Sequence, residues 1–165
     1  MALSAVKSTG RFTSIVADGG SIQSCSQPQP KLRPGEIAVR VEAVGICRTD
    51  LYVIDGTIPA RRPLIPGHEF SGVVMESGPE TSRLTPGDRV AINPIIPCGD
   101  CLFCRSDNPA SCQHTSMLGV DRDGACCNVA VNPEQAAFLI PESLSFEAVS
   151  YTHLRAHETA SDREC

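Results

Sequence analysis

The sequence predicts a mainly β domain, a barrel or a sandwich of short strands, interrupted by one closed lobe and carrying only short helices. Three observations lead there. Short valine-rich stretches recur between Pro-Gly turns, helical patterning is confined to two brief segments, and Cys98, Cys101, Cys104 and Cys112 fall within fifteen residues at the spacing C-x2-C-x2-C-x7-C. Several short strands at such intervals fit a closed or layered β architecture better than a helical bundle.

Taken in order, residues 36–46 (EIAVRVEAVGI) alternate imperfectly between polar and apolar after the Pro34-Gly35 turn, the pattern of a strand with one buried face. Residues 49–55 (TDLYVID) suit a short helix with Thr49 near its start. Two further strands are expected at 69–76 (EFSGVVME) and 88–93 (DRVAIN), entered through Pro66-Gly67 and Pro86-Gly87. Residues 128–131 and 136–140 supply two more, and 141–149 begin a second helical stretch. From about residue 151 the tail YTHLRAHETASDREC drops the apolar pattern begun by Leu144, Phe146 and Val149. SYTHLRAHET resembles a processing scar, so the chain divides into a domain at 6–149 and a foreign tail at 150–165.

With 165 residues, 41% hydrophobic and 20% charged, the chain has the composition of one folded globular domain. Its formal net charge of -5 lacks the basic footprint of a nucleic-acid binder, which argues against a zinc-ribbon reader. No apolar run approaches the roughly 20 residues that span a bilayer, and the opening residues do not read as a secretory signal. Nine cysteines are thus read as thiols in a reducing, cytoplasmic setting with no membrane partner.

The four lobe cysteines can close a tetrahedral tetrathiolate shell around zinc, which holds a loop in shape and leaves no coordination position for a substrate. Chemistry must come from elsewhere. Cys47 in GICRTD with His68 and Glu69 in PGHEFSG offers a second set of thiolate, imidazole and carboxylate donors. Taken alone, Cys47 reads as a buried small hydrophobe and His68 as an ordinary histidine; their motif context makes them candidate ligands. Cys25, Cys126 and Cys127 lack ligand spacing and read as bystanders.

In sequence, GICRTD, PLIPGHEFSGVV, LTPGDRVA, CGDCLFCRSDNPASC and LIPESLSFE resemble the zinc-containing alcohol dehydrogenases of the medium-chain dehydrogenase/reductase superfamily, in their N-terminal GroES-like catalytic domain. The family pattern G-H-E-x2-G-x5-G is met by Gly67, His68, Glu69, Gly72 and Gly78, with Thr81 standing where a smaller or aliphatic residue is usual. The resemblance implies a GroES-like, partly open β-barrel with a four-cysteine zinc lobe. It implies that Cys47 and His68 hold a catalytic zinc, a Lewis acid toward an alcohol, with Glu69 beside the metal as an alternative ligand. It further implies that Asp50 orients the histidine, that Thr49 relays the alcohol proton, and that Arg48 reaches the pyrophosphate of NAD or NADP. The expected partner is a small-molecule alcohol, and full-length relatives are expected to be homo-oligomeric.

A dehydrogenase also needs a dinucleotide domain, and no G-x-G-x-x-G opening a helix occurs in these residues; the glycines at 18–21 do not follow a parallel strand into a helix. The Rossmann domain is absent, and the family's third protein ligand falls at or beyond the change of character near residue 150. Two readings follow: the catalytic-domain fragment of a zinc-dependent alcohol or polyol dehydrogenase, inactive alone, or a stand-alone zinc-stabilised GroES-like domain with a structural or binding role. The set Cys47, Thr49, His68 and Glu69 favours the first.

Overall fold

The structure, a computed structural model, describes residues 11–28 and 31–155. Its centre is a five-stranded antiparallel sheet in the order β8-β3-β4-β5-β9, formed by β3 (Glu36–Gly45), β4 (Glu69–Ser77), β5 (Arg89–Ile92), β8 (Val129–Pro133) and β9 (Ala137–Leu139). These are the five strands expected from the sequence, each within two residues at its ends. Alternation decides the buried face: Ile37 and Val39 on β3, Phe70 and Val74 on β4, and Val90 and Ile92 on β5 share one core cluster. Each such side chain contributes about 1.5–3 kcal/mol on burial.

β3 bends through two register shifts against β4. Its Arg40 carbonyl then comes so close that a Cβ on Gly72 would lie 2.0 Å from it, which explains a glycine in mid-strand. The sheet does not close by pairing with itself: β8 and β9 remain its edges. The barrel is therefore partly open, as expected.

A hairpin of β1 (Arg11–Asp18) and β2 (Ser21–Pro28) was not expected. Its turn is Gly19-Gly20, with φ of 55° and 86°, the left-handed pair that a tight hairpin turn demands. The glycines set aside as a poor dinucleotide motif are thus turn glycines. Isolated bridges from Ser14 to Cys127 and from Ala17 to Leu64 join the hairpin to the rest.

The first helix, α1 (Arg48–Asp55), lies where the sequence placed it and ends at Gly56 in the left-handed region. Between β5 and β8, the lobe contains β6 (Ile95–Ile96), α2 (Leu102–Arg105) and β7 (Ser116–Met117), and β6 pairs with β7 at its base. The last helix, α3 (Phe146–Arg155), begins later than residue 141. The reason is local: the Ala148 N–H donates to Ser145 Oγ at 3.1 Å, so Ser145 is the N-cap, and Pro141 opens a turn before it. The α3 backbone crosses the compositional change at residue 150, and Ser150 is buried against the sheet. Residues 156–165 of the expected foreign tail lie outside the described residues. Among the described residues no helix is long and apolar enough to cross a membrane.

Candidate metal centres

The lobe brings Cys98, Cys101, Cys104 and Cys112 together as a possible metal-binding group. Sulfur–sulfur separations are 3.9 Å (Cys98–Cys104), 3.5 Å (Cys101–Cys104), 3.9 Å (Cys101–Cys112) and 3.6 Å (Cys98–Cys112). Four sulfurs at about 2.3 Å from one ion define a tetrahedron with edges of about 3.8 Å, so the cluster already has the size of a zinc shell.

Backbone donors surround the sulfurs. The Cys98 and His114 N–H groups point at Cys112 Sγ (3.3 and 3.4 Å) and the Cys101 N–H at Cys98 Sγ (3.4 Å). Cys101 drops to about 6, chiefly through the Cys104 N–H, and Cys112 is lowered chiefly through the Cys98 N–H. Cys104 is pushed up to about 12 by burial and by the neighbouring thiols. Four thiolates cannot share this space without a cation; a divalent metal removes the conflict.

The second group, Cys47, His68 and Glu69, is assembled from two elements. Cys47 immediately precedes α1, while His68 and Glu69 stand at the head of β4; their ligand atoms lie within 4.8 Å of one another. His68 is 2% exposed, and its Nε2 is 3.5 Å from Glu69 Oε1. That separation is close to the edge of about 3.4 Å for nitrogen and oxygen ligands at about 2.0–2.1 Å from zinc. The donor set of sulfur, nitrogen and oxygen fits zinc.

Asp50 sits on the far side of the imidazole. One carboxylate oxygen meets His68 Nδ1 at 3.2 Å and accepts the Gly67 N–H at 2.9 Å, while the other accepts the Cys47 N–H at 2.9 Å. A single buried carboxylate thus ties together both segments that carry the donors. Burial pushes the Asp50 carboxyl up, but the His68 hydrogen bond and charge with the two backbone N–H groups outweigh it and hold the pKa below the usual carboxylate value. An ionised Asp50 keeps the proton on Nδ1 and turns Nε2 toward Glu69 and Cys47.

The Thr49 hydroxyl lies 3.7 Å from Cys47 Sγ, and Arg48 is exposed at the first turn of α1. A cleft of about 490 Å³ opens beside His68 and Glu69, walled by Phe70, Ile92, Asn93, Phe138 and Val149. Of these, Phe70 falls in PGHEFSG on β4; no sequence motif marked the others, because β5 with the residue after it, β9 and α3 assemble them. Cys126 and Cys127 are pushed up to about 11 and 12, foremost by burial, and neither belongs to a donor group; Cys25 lies on β2, apart from both.

Comparison with known proteins adds the family. The alcohol dehydrogenase GroES-like domain family matches residues 33–142. An alcohol dehydrogenase of Geobacillus stearothermophilus is 38% identical over 122 residues, 72% of this chain and 36% of that protein. An L-threonine 3-dehydrogenase of Pyrococcus abyssi is 39% identical over 119 residues, 70% of this chain and 34% of that one. A solved short chain alcohol dehydrogenase of Escherichia coli CFT073, complexed with NADH, superposes with a TM-score of 0.78 at 30% identity, covering 86% of this chain and 42% of its own. The chain thus spans about a third of the length of these curated relatives. With its β fold, its cysteine lobe and the match over residues 33–142, the chain belongs to the zinc-containing alcohol dehydrogenases, through their GroES-like domain.

Proposed function

We propose that residues 6–149 form the catalytic-domain part of a zinc-dependent NAD(P) dehydrogenase that oxidises an alcohol or polyol to an aldehyde or ketone, and that this chain alone does not turn over. The carrying observation is the convergence of Cys47, His68 and Glu69, with Asp50 buried behind the histidine. A stand-alone structural domain would have no use for that convergence.

A zinc ion held by Cys47, His68 and Glu69 would supply Lewis acidity toward an alcohol oxygen. The protein's own contribution is positional. Asp50 retains the Nδ1 proton and so keeps the Nε2 lone pair available. The Thr49 hydroxyl, beside Cys47, passes the substrate proton outward. Phe70, Ile92 and Phe138 make the cleft apolar and limit water. Arg48 offers a planar fork of donors to the cofactor pyrophosphate. The cofactor, NAD or NADP, would be held by a dinucleotide-binding half, since no such unit occurs among the described residues. Holding the nicotinamide at reacting distance is worth on the order of 7–11 kcal/mol in favourable cases, which this chain cannot provide alone. The partner in this reading is a small-molecule alcohol in the cytoplasm, and the net charge of -5 counts against nucleic acid.

The test is metal content and turnover together. Two zinc ions per chain, falling to one in His68→Ala, are expected, with no cofactor-dependent oxidation by the 165-residue chain. Joined to a dinucleotide-binding half from a relative, the chain should oxidise alcohols and His68→Ala should abolish it. Zinc content indifferent to His68, or robust activity of the chain alone, would overturn the reading.

A further inference from the structure

Between Ile65 and Gly67, just before His68, the backbone has five polar groups, since Pro66 has no N–H. All five are engaged. The Ile65 N–H donates to Asp123 Oδ1 (3.1 Å) and the Gly67 N–H to Asp50 Oδ1 (2.9 Å). The three carbonyls of Ile65, Pro66 and Gly67 accept from Gly124 (2.7 Å), Cys126 (2.9 Å) and Ala125 (2.8 Å). Contact between the segments is as close as glycine allows. A Cβ on Gly124 would lie 2.0 Å from the Gly67 oxygen and 2.7 Å from the Pro66 oxygen, both backbone atoms that no rotamer change can move. A Cβ on Gly119 would meet Gly67 N at 3.1 Å, and one on Gly67 would meet Cys126 Sγ at 2.9 Å.

We propose that the 119–126 loop is the positioning element for His68, with Gly124 as its determining residue; this rests on the metal-centre reading above. Asp50 fixes the imidazole from one side, and the loop fixes the backbone that carries it from the other. Gly124 and Ala125 donate their N–H groups to the Ile65 and Gly67 carbonyls, so the effect passes through the Pro66-Gly67 peptide. In Gly124→Ala the 2.0 Å separation from the Gly67 carbonyl oxygen must open to about 3.0 Å by movement of one backbone against the other, so the loop either displaces the peptide before His68 or loses its hold on it. Displacement on that scale is of the order that spoils a constructed site.

The test is a Co2+ titration of the full chain, in which a four-thiolate shell and a one-thiolate site differ in charge-transfer absorption. Gly124→Ala should weaken the Cys47, His68 and Glu69 site by about 10–100-fold, as loss of an orienting partner does, while lobe affinity stays unchanged. Gly78→Ala is the structural control: its Cβ would lie 2.8 Å from the Arg33 and Glu36 oxygens, so it should lower stability but not second-site affinity. Asp123, whose side chain is 54% exposed, provides a variant that folds. Asp123→Ala should weaken the second site, and Asp123→Asn, which keeps an oxygen acceptor for the Ile65 N–H, should restore it. If wild type takes up two ions and Gly124→Ala keeps full second-site affinity, or loses no more than Gly78→Ala, the positioning role is overturned alone. Uptake of one ion by wild type, unaltered in His68→Ala, overturns the metal-centre reading and this proposal together.

Discussion

Replacing Asp50 by Asn changes the site by almost no volume and yet should damage it. The carboxylate accepts from three donors, Cys47 N–H and Gly67 N–H at 2.9 Å each and His68 Nδ1 at 3.2 Å, in a position 1% exposed. A carboxamide has one oxygen. If it faces Gly67 and His68, its NH2 is set against the Cys47 N–H; if it is flipped, the NH2 meets Gly67 and pushes His68 toward the wrong tautomer. One buried N–H is unpaired either way, at a cost of about 1–3 kcal/mol, and the lost charge weakens the bonds that remain. Metal affinity at Cys47, His68 and Glu69 should fall by about 10–100-fold, because the orienting partner of the histidine is impaired. Urea unfolding of the metal-free chain measures the first effect and competition with a chromophoric chelator the second. A stability change below about 0.5 kcal/mol together with unaltered affinity would refute the account of Asp50 as the tie between the two segments.

Cys101→Ser should cost one zinc ion per chain and lower the thermal midpoint of the zinc-loaded protein, since structural zinc can contribute about 10 kcal/mol or more to small domains; full zinc content by elemental analysis would contradict the lobe assignment. Glu134 is 7% exposed and accepts from the N–H groups of Ser82, Arg83 and Leu84. Burial pushes its carboxyl up, but these hydrogen bonds and the Arg83 charge bring the pKa below the usual value. Its stabilisation is therefore fully present above the unfolded value of about 4.3 and is lost as pH falls through the lower folded one. Glu134→Gln should flatten the acid side of the stability profile, and an unchanged slope in urea midpoints would count against this role. Ser150→Ala removes a hydroxyl that bonds Ser71 Oγ at 2.8 Å and the Ala43 carbonyl at 3.2 Å, so it should cost about 1 kcal/mol. Combination with Ser71→Ala should be less than additive, and strict additivity would show that the pair does not dock α3 on the sheet.

The lobe was legible because its donors are local. Four cysteines within fifteen residues need only a short loop to meet, and the spacing alone states the chemistry. Strands β3, β4, β5, β8 and β9 were legible because a half-buried strand writes its face into alternate residues and Pro-Gly pairs mark the turns between them. The β1–β2 hairpin was not read, although Gly19-Gly20 between two eight-residue strands was there to be seen. Its strands show weak alternation, and Ser21–Pro28 is largely exposed, so burial wrote little pattern into it.

The mixed site divides between the two levels. Residue types and motif order nominated Cys47, His68, Glu69 and Asp50, but Cys47 and His68 are 21 positions apart and meet only because β3 pairs with β4 across the Gly45–Glu69 register. The cleft wall from β5, β9 and α3, and the 119–126 loop gripping Ile65–Gly67, left no motif at all. Those contacts are made by backbone atoms and by side chains whose only requirement is to fit. Donor chemistry depends on which atoms a side chain has, and a sequence lists those; the distance and direction at which distant segments present them depend on how the sheet packs, which local residue identity does not encode.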